Sequence, residues 1–225
     1  MKKTYHKCIS LGGDCGVGVA LRELKYRDEA YPFDWIVSDI KFLHYFFETY
    51  RNTKKFPQIL CDNNIKKKGQ NKYRSYISNV QETLFYYHDE PYEILINVSD
   101  NSNLNEAIEK YQRRVERLLD ICRLNNRRIL FIRKSGKDTI KDILYLCDLI
   151  HQSFPELKFD ILSFTQNDST NQDKLLNNDQ VITNIKLDPI CFLVFDKIQQ
   201  KWNHLDKKRN WIDIYNYLKQ NVKII

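Results

Sequence analysis

Between Leu104 and Phe164 two hydrophobic periods take turns. The stretches NLNEAIEKYQRRVERLLDICRL and DTIKDILYLCDLIHQSF space their apolar residues three and four apart, as an amphipathic helix does. RRILFIRK and LKFDILSF are instead short, nearly continuous apolar runs of strand length. Strands joined through helices cannot pair as hairpins. They pair in parallel, because the crossover returns the chain to the same end of the sheet, and helices then cover both faces. The sequence therefore predicts an α/β fold with a mixed or mostly parallel sheet and crossover helices.

The flanking sequence fits the same architecture. Tyr5 to Leu11 reads as a first strand ending in a Gly12-Gly13 turn, and a short helix follows from Gly16, which would put Cys15 at the N-terminus of the first helix. YPFDW (Tyr31 to Trp35) reads as an aromatic loop, with Pro32, Phe33 and Trp35 packing on the core and Asp34 capping a turn. The next helix is capped by Ser38 or Asp39 and shows a Phe42, Tyr45, Phe46 face. Residues 51–79, basic and rich in Asn, lack a long apolar period and read as an exposed excursion. ETLFYYHD, YEILINVS and QVITNIKL are strand-like, and RNWIDIYNYLKQ makes a closing helix. Neither an internal repeat nor a linker rich in Pro, Gly or Ser divides the chain, so residues 1–225 are expected to form one domain.

Composition narrows the setting. With 42% hydrophobic residues the chain can bury a sizeable core. No run approaches the roughly 18 apolar residues of a membrane span, and His6, Lys7, Ser10 and Asp14 interrupt the first apolar segment, so the expected location is cytoplasmic. The net charge of +7 is unevenly placed, with 15 basic and 8 acidic residues through Arg74 and 21 of each beyond it. Such a basic N-terminal surface can hold an anionic partner. Nucleic acid is not expected, because the combination of stacking aromatics and basic residues used by its readers is missing.

Six cysteines are scattered without a CxxC pair, which argues against a disulfide framework or a zinc site and for no metal or other cofactor. Cys122, Cys147 and Cys191 lie in apolar runs, where cysteine serves as a small hydrophobe. Cys15 is set apart by its surroundings. Unpaired N–H groups and the positive end of a helix dipole favour a thiolate, while Gly13, Asp14 and Gly16 supply backbone N–H groups for a developing oxyanion. The glycines of GGDCGVG do not have the G-x-G-x-x-G spacing, nor does Lys-Ser/Thr follow as in a P-loop. Nucleotide binding is thus a minor alternative.

A thiol nucleophile needs a base, and the imidazoles are His6, His44, His88, His151 and His204. His88 is best placed, at the end of the strand-like LFYYHDE, with His204 second. Arg113, Arg114 and Arg117 read as the polar face of an amphipathic helix paired with Glu109 or Glu116, or, for Arg113 and Arg114, as contacts to an anionic substrate.

Taken in order, SLGGDCGVGVALREL, YPFDW, YYHD, KYQRRVERL and ILFIRK resemble a largely uncharacterised family of papain-like cysteine peptidases from bacteria and large DNA viruses. The resemblance covers roughly Cys8 to Lys134. It implies a nucleophile at Cys15, a general base at His88 and a polar partner at Asp34 or Asp89, in a thiol protease or related hydrolase. The alternation after Leu104 departs from a papain barrel. Two functions follow: a cysteine-dependent hydrolase or acyltransferase acting on a peptide or acyl-bearing substrate, with an anionic one among the candidates, and a noncatalytic module that holds an anionic or nucleotide-type ligand.

Overall fold

The computed structural model describes residues 2–13, 15–34, 38–57, 65–68, 75–78, 83–86, 102–135, 138–165, 182–187, 191–195 and 211–225. These contain five helices, α1 (Gly16–Glu23), α2 (Ile40–Thr53), α3 (Ser102–Cys122), α4 (Ile140–Ser153) and α5 (Ile212–Asn221). The strands are β1 (Lys3–Tyr5), β2 (Lys7–Ser10), β3 (Ile65–Lys68), β4 (Ser75–Ser78), β5 (Thr83–Tyr86), β6 (Arg128–Ser135), β7 (Lys158–Thr165), β8 (Ile182–Leu187), β9 (Cys191–Phe195) and β10 (Val222–Ile224).

The pairing is mixed, with short parallel sheets. β2, β6 and β7 run parallel in the order β2-β6-β7, and β1 pairs in parallel with β10. β3-β4-β5 and β8-β9 are antiparallel. Alternation along the parallel strands sorts the core into two layers, because successive side chains point to opposite faces. Ile9, Ile129, Phe131, Phe159 and Ile161 join residues of α2, α3 and α4 in one cluster. Cys8, Leu130, Ile132, Leu162 and Phe164 join α1 and α5 in the other. At about 1.5–3 kcal/mol for each large apolar side chain fully buried, these two layers are the main source of cohesion.

One expectation is corrected. Tyr5 to Leu11 is not one strand: it divides at His6, so that β1 pairs with β10 and β2 with β6. At the break the Arg128 N–H donates to His6 Nδ1 (2.9 Å) and the His6 N–H to the Arg128 carbonyl (2.9 Å), a side chain standing in for one rung of the ladder. The stretch 51–79, expected to be an exposed excursion, begins within α2 and contains β3 and β4. YEILINVS lies outside the described residues.

The helix ends follow their sequence signals. Asp39 caps α2 by accepting the Lys41 N–H, and Thr139 and Asp142 form a capping box at α4. The YPFDW turn anchors on the core through Phe33, which is fully buried and meets Phe46 edge to face at 5.1 Å.

Candidate active site

The helices that follow adjacent strands β2 and β6 leave toward opposite faces. α1 packs in the layer with α5, whereas α4 packs with α2 and α3. Helices of opposite faces thus flank the C-terminal ends of these strands, the end of an open α/β sheet at which ligands commonly bind. The Gly12-Gly13 turn after β2 and the end of β6 meet there.

Backbone contact sets the turn. Gly12 and Gly13 both have positive φ, +73° and +93°, and a Cβ built on Gly13 would lie 1.5 Å from the Lys134 carbonyl oxygen. The Lys134 N–H donates to the Gly12 carbonyl at 3.3 Å and the Leu11 N–H to the Ile132 carbonyl at 2.7 Å, which carries the ladder past the strand end. Half-buried Cys15 precedes Gly16, and its carbonyl accepts the Val19 N–H at 3.0 Å. One turn on, Gly18 presses against the YPFDW turn: a Cβ there would come within 2.4 Å of the Asp34 carbonyl oxygen.

Beneath the turn lies Arg133, fully buried, with all five guanidinium N–H groups directed at acceptors. Nε and one terminal nitrogen grip the Asp138 carboxylate, and that terminal nitrogen, 3.2 Å from Asp138, also donates to the Ser38 carbonyl at 3.0 Å. The other terminal nitrogen donates to the Leu11 carbonyl at 2.9 Å and to Ser38 Oγ at 3.4 Å. Ser38 Oγ in turn accepts the Gly13 N–H at 3.4 Å. Arg133 therefore ties the end of β2, the approach to α2 and the approach to α4 to the turn that leads into Cys15. None of Arg133, Asp138 and Ser38 stands out as a site residue in the sequence. The available signal was an arginine ending an apolar strand with an aspartate five residues later.

Asp34 is fully buried. Its Oδ2 accepts from Arg27 and from the Tyr31 N–H (2.7 Å), so it does cap the turn, while Oδ1 has no hydrogen-bond partner. Burial pushes its carboxyl pKa up against the opposing pull of Arg27, the Tyr31 N–H and Arg114.

The arginines of α3 do not share one face. Arg113 is exposed and pairs with Glu109 at 3.9 Å, and Arg117 pairs with Glu29 at 3.2 Å and donates to the Ala30 carbonyl. Arg114 is only 4% exposed, with its guanidinium 5.1 Å from the Tyr111 ring centroid, which corrects its expected place on the polar face. Adjacent helical residues are about 100° apart, so neighbours such as Arg113 and Arg114 can face different surroundings. Lys110, half-buried beside them, has its pKa lowered to about 8 by burial and then by Arg114 and Arg113.

Of the imidazoles, His44 on α2 meets the Asp142 carbonyl (Nε2, 2.9 Å) and the Tyr145 ring, and His6 is engaged at the strand break. Asp14, His88, Asp89 and His204 lie outside the described residues. Among the described residues no cluster of potential metal ligands occurs, and no helix is long and apolar enough to cross a membrane.

Fold and turn together define a class: an α/β protein with a cysteine just after the glycine turn that ends the first strand of its β2-β6-β7 sheet. A family model described as "Putative papain-like cysteine peptidase" matches residues 6–169, and the chain belongs to that family. No curated protein and no solved structure matches the chain.

Proposed function

We propose that the protein is a cysteine-dependent hydrolase of peptide or other acyl substrates, with Cys15 as nucleophile and His88 as general base. The observation that supports this reading is the place of Cys15, just after the glycine turn that follows β2 and just ahead of Gly16, with family membership behind it. Cys15 Sγ adds to the substrate carbonyl as His88 takes the thiol proton. Collapse of the tetrahedral intermediate expels the amine or alcohol, which receives that proton, and leaves a thioester. Water then attacks with His88 as base, releasing the acid and restoring the thiol. Backbone N–H groups from Asp14 to Gly16 face the oxyanion, while Gly13, whose N–H is given to Ser38, shapes the turn. Asp89 orients His88. Asp34, held by Arg27, seats α1 through Gly18.

Transfer to an amine or sugar in place of water would make the same intermediate an acyltransferase. The deciding experiment incubates wild type and Cys15→Ser with peptide, ester and thioester substrates and follows intact mass. An acyl adduct on Cys15 that water discharges supports the hydrolase, and one that needs an added acceptor supports the transferase. Full turnover by Cys15→Ser rejects both.

A further inference from the structure

At the other end of the parallel sheet, where β2 and β6 begin and α1 has just ended, lies a cavity of about 370 Å³. His6, Lys7, Lys25, Tyr26, Arg127 and Ile224 contribute to its lining. We propose that this cavity binds a phosphate-bearing small molecule, its anionic group held by Lys25, Arg127 and the His6 ring N–H and its remainder resting on Tyr26 and Ile224.

The charges around the cavity are unequally satisfied. Lys7 pairs with Asp28 at 2.6 Å, and Arg27, also in the lining, is spent on Asp34. Lys25 and Arg127 form no ion pair with a described Asp or Glu side chain, unlike Lys7 with Asp28 and Arg27 with Asp34 beside them. Two cations without an ion pair thus line one concavity, whose lining also holds Asp28, the carboxylate already engaged by Lys7. His6 supplies a donor of fixed direction: its Nδ1 accepts the Arg128 N–H, so Nε2 carries the ring proton. An arginine fork, an ammonium point charge and an imidazole N–H match a phosphate, which offers three peripheral oxygens, better than a carboxylate with two. The volume falls in the range of small-ligand sites and leaves room for more than the phosphate itself. Lys25 has φ +58°, a conformation that glycine adopts more cheaply, so the lysine is retained there at a conformational cost.

The site stands clear of Cys15 and does not depend on the chemistry proposed for it. The test titrates the ¹⁵N-labelled full chain with inorganic pyrophosphate and, in parallel, with citrate, reading amide shifts and affinity. Saturable pyrophosphate shifts at His6, Lys25 and Arg127 are expected, unchanged in Cys15→Ser. Lys25→Gly, which suits the local backbone, and Arg127→Ala should each weaken binding by about tenfold, the loss of one charge-assisted contact. No saturable binding at millimolar pyrophosphate overturns the proposal, as do shifts confined to the Cys15 end. Citrate binding as tightly as pyrophosphate overturns the ligand class.

Discussion

Gly13 and Lys134 touch backbone to backbone: a β-carbon on Gly13 would stand 1.5 Å from the Lys134 carbonyl oxygen. With φ at +93°, an L-residue there is strained as well as blocked. Gly13→Ala should therefore cost about 3 kcal/mol or more, comparable to the larger single-residue losses, or force the turn off the end of β6. Urea unfolding with alkylation of Cys15 separates these outcomes. A lower midpoint with unchanged thiol reactivity means global destabilisation, and a near-normal midpoint with altered reactivity means a displaced turn. No change in either would refute the close contact.

Arg133 and Asp138 form a buried pair, with side chains 0% and 3% exposed. Breaking such a pair strands a charge, which typically costs about 3–5 kcal/mol, whereas replacing both partners with apolar residues costs less. Asp138→Asn and Arg133→Met should each destabilise strongly, and Arg133→Met with Asp138→Leu should recover part of the loss. A double-mutant cycle measures the coupling, and simple additivity would show that the two side chains act independently.

How far the sequence reveals this molecule depends on where the relevant forces act. α3, β6, α4 and β7 are legible because each writes its own hydrophobic period, and the Asp39 and Thr139 caps are local chemistry. The break at His6 is not, since it depends on β10 from the far end of the chain supplying a partner for β1. β10 itself is only three residues long and leaves no period to find. At the candidate site, the glycine turn after the first strand could be read, but Arg133 looked like the polar end of a strand. Its burial is a tertiary fact, created by acceptors from Leu11, Ser38 and Asp138. Arg113 and Arg114 looked alike for the same reason: only packing distinguishes exposed from buried on neighbouring helical positions.

Lys110 should be an unusually reactive amine. Burial and the two neighbouring guanidinium groups lower its pKa from 10.5 to about 8, so near pH 8 about half of it is the nucleophilic free base. Limited acetylation with an N-hydroxysuccinimide ester at that pH should modify Lys110 ahead of ordinary exposed lysines, as peptide mapping will report. The linkage has a definite sign. Between about 8 and 10.5 the unfolded chain still holds a proton that the folded chain has released, so this group makes stability rise with pH across that window and weakens the fold below it. Lys110→Met should flatten the slope there. An unchanged slope would place the lysine in solvent.

The thiols offer the most direct check on the nucleophile. Cys8 and Cys122 are 0% and 2% exposed, and burial raises the pKa of both, so neither access nor ionisation favours their alkylation in the folded chain. Cys15 is half-buried just ahead of Gly16, and under the proposed function the N–H groups and dipole of a helix start would favour its thiolate. Cys147 is equally half-buried, but within α4, and so serves as the control for access alone. Substoichiometric iodoacetamide at neutral pH, followed by peptide mapping, should label Cys15 first, Cys147 more slowly, and Cys8 and Cys122 only after denaturant is added. Equal rates at Cys15 and Cys147 would mean that exposure alone governs both, leaving Cys15 without the activation a nucleophile requires.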